Sequence, residues 1–210
     1  MSSRLAAEAC LARAAVEQHG VFTRDQARAA GFNGPGIERR VRAGAWVRVL
    51  PRVYRHAATP PSRLLLFSAA VRWAGSASAL SHTSAAALWR LPGARFDRTE
   101  LIVPVARSPR AGSVVVHRVA RVDAADVVRV RGLAVTAPAR TLIDLAAVLP
   151  DRDLERALSH AFGLQLVGPG VVERRLAEIG SAGRPGVARL RALLRAIGSG
   201  RWGASARMAG

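Results

Sequence analysis

One early stretch of this chain carries several local structural signals in a fixed order, and it constrains the fold more than any other segment. Thr23, with Gln26 three residues later, has the pattern of a capping box, and Gly31 is placed to end the short helix that follows. Asn33 is placed to cap a further helix, which Gly44 ends. The sequence therefore predicts two short helices joined by a tight turn.

A hairpin follows these two helices. Residues 45–56 alternate apolar and basic side chains on both sides of Leu50-Pro51, which predicts two strands with their turn at that dipeptide. Residues 3–19 are rich in Ala, Leu and Glu and predict one more helix before the other two. Three short helices and a hairpin are the layout of a winged helix-turn-helix, so we predict that residues 1–58 form such a domain.

The remainder of the chain mixes helical and strand-like segments, so the predicted fold class is α+β. Thr59, Pro60 and Pro61 read as a linker. Beyond it we expect helices near 62–74, 81–89, 138–149, 151–162, 170–179 and 186–197, and strands at 99–105, 113–119 and 127–135. The predicted parts are a mixed α/β domain with a small sheet at 62–163, C-terminal helices at 164–197 and a disordered tail at 198–210.

Every basic residue of this strongly basic chain is an arginine. The 32 arginines stand against 14 acidic residues, which gives a formal net charge of +18. The absence of lysine excludes a Walker A phosphate loop and a Schiff-base lysine. Arginine in place of lysine also suits a GC-rich genome, but a charge this large attracts polyanions, so we expect a nucleic-acid partner. Residues 24–55 concentrate the excess, with eight arginines and two acids.

The second helix of the predicted helix-turn-helix has a basic face. At about 100° per residue, Ile37 and Val41 share one side, which we expect to be buried. Arg39 and Arg42 fall on the opposite side, and Arg40 lies nearer the flank. Arginine on the exposed face of such a helix can pair with guanine O6 and N7 in a major groove. We therefore predict that these three arginines bind double-stranded DNA.

The residue pattern of the predicted hairpin indicates a basic wing. Arg48, Arg52 and Arg55 alternate with apolar residues, and such a wing can clamp phosphates or enter the minor groove. We add these three arginines to the predicted DNA-binding set. Trp46 and Tyr54 are expected to anchor the hairpin in the core rather than to stack on bases. The alternative for both faces is that they are solvated surfaces of a protein-interaction module.

The chain offers no pattern that predicts catalysis. Ser81 and His82 are adjacent, and neighbours on a helix do not face each other, so we expect Ser81 to be a helix cap. Asp144 is expected to form an ion pair with Arg140 one turn earlier. The histidines are scattered without metal-ligand spacing, and Cys10 is the single cysteine. We predict no enzymatic activity, no metal and no cofactor.

The N-terminus and the apolar segments bear on the compartment. Arg4, Glu8 and Arg13 interrupt the first apolar stretch, so it does not resemble a signal peptide. No apolar run approaches the length of a membrane span. A reducing compartment fits the lone cysteine, so we expect a cytoplasmic protein without a membrane partner.

Several segments together resemble the AbiEi family, the antitoxins of abortive-infection, type IV toxin–antitoxin systems. The winged-helix part of the resemblance lies in HGVFTRDQARAAGFNGPGIERRVRAGAWVRVLPRVYR, residues 19–55. The next segments are LSHTSAAALWRLPG at 80–93 and VTAPARTLIDLAAV at 135–148. The resemblance covers roughly residues 10–163.

The resemblance implies a transcriptional autoregulator whose winged helix binds repeats in its own promoter. It implies that the second domain serves antitoxin function against a nucleotidyltransferase-like toxin. On this basis Arg39, Arg40 and Arg42 sit on the recognition helix, and the three hairpin arginines on the wing. A homodimer and cooperative monomers on repeated half-sites both stay open.

A second resemblance is to longer proteins that continue into a very-short-patch-repair-like endonuclease domain. Such a nuclease needs clustered carboxylates to hold Mg²⁺, and no Asp or Glu follows Glu178. The nuclease half is therefore expected to be missing. The alternative to the regulator is a protein-interaction module, or a truncated relative of such an endonuclease-domain protein without catalytic activity.

Overall fold

The computed structural model describes residues 2–106, 111–179 and 185–198. It shows a mixed α+β structure, as the sequence predicts. The helices of the described residues are α1 Ser2–Glu17, α2 Arg24–Ala29, α3 Gly34–Arg42, α4 Arg63–Ala74, α5 His82–Trp89, α6 Pro138–Leu145, α7 Asp151–Gly163, α8 Pro169–Glu178 and α9 Val187–Gly198. The strands are β1 Val21–Thr23, β2 Trp46–Leu50, β3 Val53–His56, β4 Ala79–Leu80, β5 Thr99–Pro104, β6 Val114–Val119, β7 Val127–Val130 and β8 Leu133–Thr136. Among these helices, none has the length and apolar character needed to cross a membrane.

The strands form two sheets, and the chain divides into two compact units. One sheet has the order β1-β3-β2, and the other has the order β6-β5-β4-β8-β7. The first unit, called unit 1, consists of Met1–Leu80, Leu101–Val122 and Arg129–Ala134. The second, called unit 2, consists of Ser81–Glu100, Asp123–Val128 and Val135–Gly210. The predicted tail falls almost wholly beyond residue 198, outside the described residues.

Unit 1 begins with a winged helix. Its elements run α1-β1-α2-α3-β2-β3, and its three strands are antiparallel. Strand β1 is not predicted by the sequence pattern, and its residue Phe22 lies opposite Tyr54 of β3. A cluster of rings fills the core below the sheet, with the Phe22 and Trp46 ring centroids 4.8 Å apart and edge-to-face. Trp46 and Tyr54 are buried, which confirms their expected role as core anchors.

The two short helices form through the caps that the sequence predicts. The hydroxyl of Thr23 accepts a hydrogen bond from the Gln26 N–H at 3.2 Å, and the Gln26 side chain accepts one from the Thr23 N–H at 2.8 Å. Asn33 Oδ1 accepts from the Gly36 N–H at 2.8 Å, at the start of α3. Gly31 follows the end of α2 with a φ of 97°, which a residue with a side chain rarely adopts. The turn between α2 and α3 is thus fixed at both ends.

The predicted hairpin is also present. In the strand register, Val47 lies opposite Arg55 and Leu50 opposite Val53, with an irregularity between Arg48 and Leu50. The turn is Pro51-Arg52 rather than Leu50-Pro51, and Arg52 has a φ of 65°. The prediction that Arg52 alternates along a strand is therefore wrong, because this residue occupies the tip of the wing.

The strands outside the winged helix differ from the prediction in two places. The segment 127–135 was expected to be one strand, but Arg131 and Gly132 have φ values of 51° and 77° and separate β7 from β8. Two successive residues with positive φ are typical of a type I′ turn, which reverses the chain. The two-residue strand β4 was not predicted at all.

Unit 2 has an aliphatic core formed mainly by its helices. Leu142 of α6 and Leu158 of α7 are fully buried in it. Helix α9 adds a buried stripe that includes Leu190 and Leu194, with Ile197 packed beside it. This confirms the apolar stripe that the sequence predicts for the last helix.

Beside this core lies a buried network of charges. Arg140 Nε is 2.9 Å from Asp144 Oδ1, which confirms the predicted ion pair. Arg140 Nη1 is also 2.9 Å from Asp126 Oδ2, and all three side chains are only 2% exposed. Arg175 Nε is 2.7 Å from the other oxygen of Asp126, and its Nη2 is 2.7 Å from Asp123. The network ties α6 and α8 to the short 3-10 helix at 124–126.

The electrostatics of the network favour the charged arginines. Burial lowers the pKa of Arg140, but the attraction of Asp144 and Asp126 and the hydrogen bonds to them outweigh it, so the pKa is raised. The hydrogen bond to Asp126 is the largest cause that raises the pKa of Arg175. The network therefore stabilises the charged form of both arginines.

Candidate nucleic-acid interface

Helix α3 presents two arginines to solvent. Ile37 is fully buried beneath the helix, and Arg39 and Arg42 lie exposed on the other side. Among the described residues, no carboxylate lies within ion-pair distance of Arg39 or Arg42. The two side chains stand three residues apart, close to one turn, so they form one positively charged surface. The buried and exposed faces of α3 are therefore the ones that the helical periodicity of the sequence predicts.

Arg40 behaves differently from its two neighbours. Its Nε is 2.7 Å from Glu8 Oε1 of α1, and only 12% of its side chain is exposed. Its guanidinium also lies 4.2 Å from the centroid of the Phe32 ring and 5.3 Å from that of Trp46. This arginine is held against the core of the winged helix, so its predicted DNA contact is the least accessible of the three.

Two arginines of the wing are exposed but have carboxylate partners. Arg48 Nη2 is 2.9 Å from Glu38 of α3, and Arg52 Nη2 is 2.8 Å from Asp25 of α2. About half or more of each arginine side chain is exposed. Exposed ion pairs contribute about 0–1 kcal/mol, so another anion can replace either carboxylate at low cost.

Arg55, the third wing arginine, binds its own chain. Its Nη1 donates hydrogen bonds to the carbonyls of His56, Ala57 and Thr59, at 3.1, 3.0 and 2.6 Å. The side chain is half-buried. It therefore fixes the loop that follows β3 and has fewer donors left for a phosphate than the other wing arginines.

Asp25 and Glu38 are the two acidic residues of the basic stretch 24–55, and the sequence pattern predicts no role for them. The structure places both beside the predicted interface as partners of the wing arginines. The backbone N–H of Arg24 also donates to the Arg52 carbonyl at 2.7 Å and so holds the wing tip against the start of α2. The sequence does single out these two acids, since they are the only acidic residues between 24 and 55. It does not show which arginines they pair with, because the partners are 10 and 27 residues apart in the chain.

The structure confirms the expected cap position of Ser81, but the side chains of Ser81 and His82 face each other, which was not expected. Ser81 occupies the cap position of α5 but makes no side-chain cap. Its Oγ lies 3.0 Å from His82 Nδ1 instead. The rule for neighbours on a helix does not apply here, because Ser81 is extended and His82 has a φ of 47°. Both side chains are buried, so the contact offers no nucleophile at the surface.

Comparison with family models and with curated proteins finds no match. Among solved structures, the crystal structure of the RV2827C protein from Mycobacterium tuberculosis is similar with a TM-score of 0.45. That chain is 20% identical, and the match covers 90% of this chain and 80% of that one. A TM-score at this level does not establish a shared fold. The resemblance to AbiEi antitoxins stays a prediction.

Proposed function

We propose that this chain is a DNA-binding transcriptional regulator of the AbiEi antitoxin kind and not an enzyme. Its winged helix binds repeats in its own promoter, and its second domain serves antitoxin function against a nucleotidyltransferase-like toxin in the cytoplasm. One observation carries the DNA-binding part of the proposal. Arg39 and Arg42 lie exposed on α3 of a winged helix, and no described carboxylate neutralises them.

The chemistry of these two residues suits base recognition. A guanidinium is planar and always charged, and it can donate two parallel hydrogen bonds to guanine O6 and N7. An α-helix fits the major groove, so α3 can bring both side chains to base edges. A stable intramolecular partner would compete with the bases, and neither residue has one among the described residues. Arg39 and Arg42 therefore carry sequence preference in this proposal.

The wing has a different role in the proposal. Arg48 and Arg52 exchange their exposed carboxylate partners for phosphates when DNA is bound. Phosphate contacts fix the position of the protein on the duplex but do not distinguish sequences. The wing arginines therefore contribute affinity and salt dependence, whereas the α3 arginines contribute preference.

The test is binding to labelled DNA from the upstream region of the chain's own gene, with a scrambled duplex beside it, over a salt series. We expect preference for the promoter by about 10³ or more. Arg39→Ala and Arg42→Ala should each reduce that preference by about tenfold or more. Arg52→Ala should weaken both duplexes alike and reduce the salt slope by about one. Arg156→Ala, which removes the same charge from an exposed site on α7, is the matched control.

Equal affinity for promoter and scrambled DNA would contradict the regulator. The arginines would then supply only non-specific attraction, and the protein-interaction module would become the better explanation. Unchanged preference in Arg39→Ala and Arg42→Ala, with preference present in the wild type, would instead show that another face reads the operator.

A further inference from the structure

Helix α1 has two apolar faces, and unit 1 covers only one of them. Leu11 and Ala15 are buried in the core of the winged helix, with Ala7 packed beside them. A second set of apolar residues lies on another side of the helix and is exposed. It consists of Leu5, Ala9, Ala12 and Val16.

This second face, called the α1 stripe, is a continuous surface. At 100° per residue its four members fall within about 60° of arc. Leu5 is 69% exposed and Val16 is 81% exposed, so the two largest members are among the most exposed apolar side chains described. Scattered exposed apolar residues need no explanation, but an aligned row along one helix is typical of a surface that meets a partner.

The spacing of the stripe specifies the kind of partner. Its members follow one another at intervals of four, three and four residues, which is the d-a-d-a order of a heptad repeat. A heptad stripe packs best against another helix with the same repeat. A second copy of this chain supplies such a helix, so the stripe is suited to self-association.

The charges beside the stripe are complementary to those of a parallel copy. With Leu5 at d, Glu8 takes a g position and Arg13 the e position five residues later. In a parallel two-stranded coiled coil, g of one helix faces the following e of the other, so each Glu8 meets the partner's Arg13. In an antiparallel pair, e faces e and g faces g, and these two charges do not meet. Glu8 contacts Arg40 through Oε1 and is about one-third exposed, which leaves Oε2 for the second arginine.

We propose that α1 is a self-association surface on which two copies of this chain pair as a short parallel coiled coil. The interface is small, because it has two heptads and two of its four core positions are alanine. It therefore gives a weak dimer that forms in a concentration-dependent way rather than an obligate one. The inference does not depend on DNA binding.

The first test is sedimentation equilibrium of the full chain without DNA over a concentration series. We expect a monomer–dimer equilibrium for the wild type. Leu5→Glu and Val16→Glu should each raise the dissociation constant by about tenfold or more, because each removes a core contact and places a charge in it. Leu164→Glu is the matched control, since Leu164 is 56% exposed at the end of α7 and should leave self-association unchanged.

A variant that strengthens self-association is the stronger test, because its expected result cannot arise from a loss of folding. Ala9→Ile with Ala12→Leu places the residues that favour parallel dimers at a and d. Both positions are exposed, so the double variant should fold and tighten the dimer by about tenfold or more. A double variant that stays monomeric would overturn the proposal.

Cross-linking tests the direction of pairing. Cys10 is exposed and is first replaced by Ser to remove its thiol. In a parallel pair, Ala9→Cys faces its own copy, and mild oxidation should give a covalent dimer. Cross-linking that requires a mixture of Ala9→Cys and Ala12→Cys chains would show antiparallel pairing and overturn the parallel geometry.

Discussion

Arginine has opposite surroundings in the two units of this protein. On α3 of the winged helix, Arg39 and Arg42 are exposed without a described carboxylate partner. In unit 2, Arg140 is buried between two aspartates, and Arg175 contacts three acidic residues. The local composition explains the difference. Residues 24–55 of unit 1 have eight arginines and two acids, whereas residues 123–128 and 135–178 of unit 2 have five arginines and eight acids.

The net positive charge of the chain does not show this difference between an acid-rich and an acid-poor stretch. In the acid-rich stretch, Arg140 and Arg175 have carboxylate partners that hold them in the fold. In the acid-poor stretch, Arg39 and Arg42 are left at the surface without a described carboxylate partner, so they are available to an anion from outside the chain. Net charge alone does not distinguish these two groups of arginines, whereas the local balance of acids and arginines does.

The largest expected effect is in the buried network. Arg140→Met should lower the free energy of unfolding by about 3–5 kcal/mol, because it leaves Asp126 and Asp144 buried without their shared cation. Arg156→Met should lower it by about 0–1 kcal/mol, because Arg156 is exposed and its nitrogen is 3.9 Å from Asp153. Urea unfolding followed by circular dichroism measures both. Equal small losses would show that the network does not stabilise unit 2.

A second pair of variants sharpens the comparison within α3. Arg40→Ala should lower the free energy of unfolding by about 1–2 kcal/mol, because the side chain pairs with Glu8 and lies over Phe32. Arg39→Ala should change it by less than about 0.5 kcal/mol, because Arg39 is exposed. Thermal unfolding monitors both variants. If the two losses are reversed, the core and surface faces of α3 are assigned wrongly.

The parts of the fold that sequence predicts well depend on local signals. Thr23 with Gln26, and Asn33 before α3, satisfy helix N–H groups within three residues, so their pattern is visible in the chain. Strands β1 and β4 were missed because three and two residues are too short to show a period of two. The turn at Arg131-Gly132 was missed because a Val-rich run surrounds it and Arg-Gly is not a usual turn dipeptide.

In the candidate site, too, some features follow from local sequence signals and others depend on tertiary packing. The exposed positions of Arg39 and Arg42 follow from helical periodicity, which needs only the sequence. The stacking of Arg40 on Phe32 and the contacts of Arg55 with the loop carbonyls depend on tertiary packing. Periodicity does not reveal such contacts. It therefore places Arg40 near the flank of α3 and Arg55 on the wing, but it does not show that both are held against the protein.

A smaller effect is expected at the capping box that starts α2. Thr23→Ala removes the hydroxyl that accepts from the Gln26 N–H, and it should lower the free energy of unfolding by about 1 kcal/mol. Thr23→Ser keeps the hydroxyl and is the control, with little change expected. Thermal unfolding distinguishes the two. A loss of equal size in both variants would assign the effect to the methyl group and not to the cap.

A small effect on stability is also expected from the acids beside the wing. Their removal tests whether the scarcity of acids leaves the winged helix available to a polyanion. Asp25→Asn releases Arg52, and it should cost about 0.3–1 kcal/mol, because Asp25 also lies in the first turn of α2, where negative charge is favourable. Affinity for promoter and scrambled duplexes should rise together, since a phosphate no longer competes with the carboxylate. Asp97→Asn makes the same change in net charge at an exposed site in unit 2. If both variants raise DNA affinity equally, the total charge decides binding and the local balance around the wing does not.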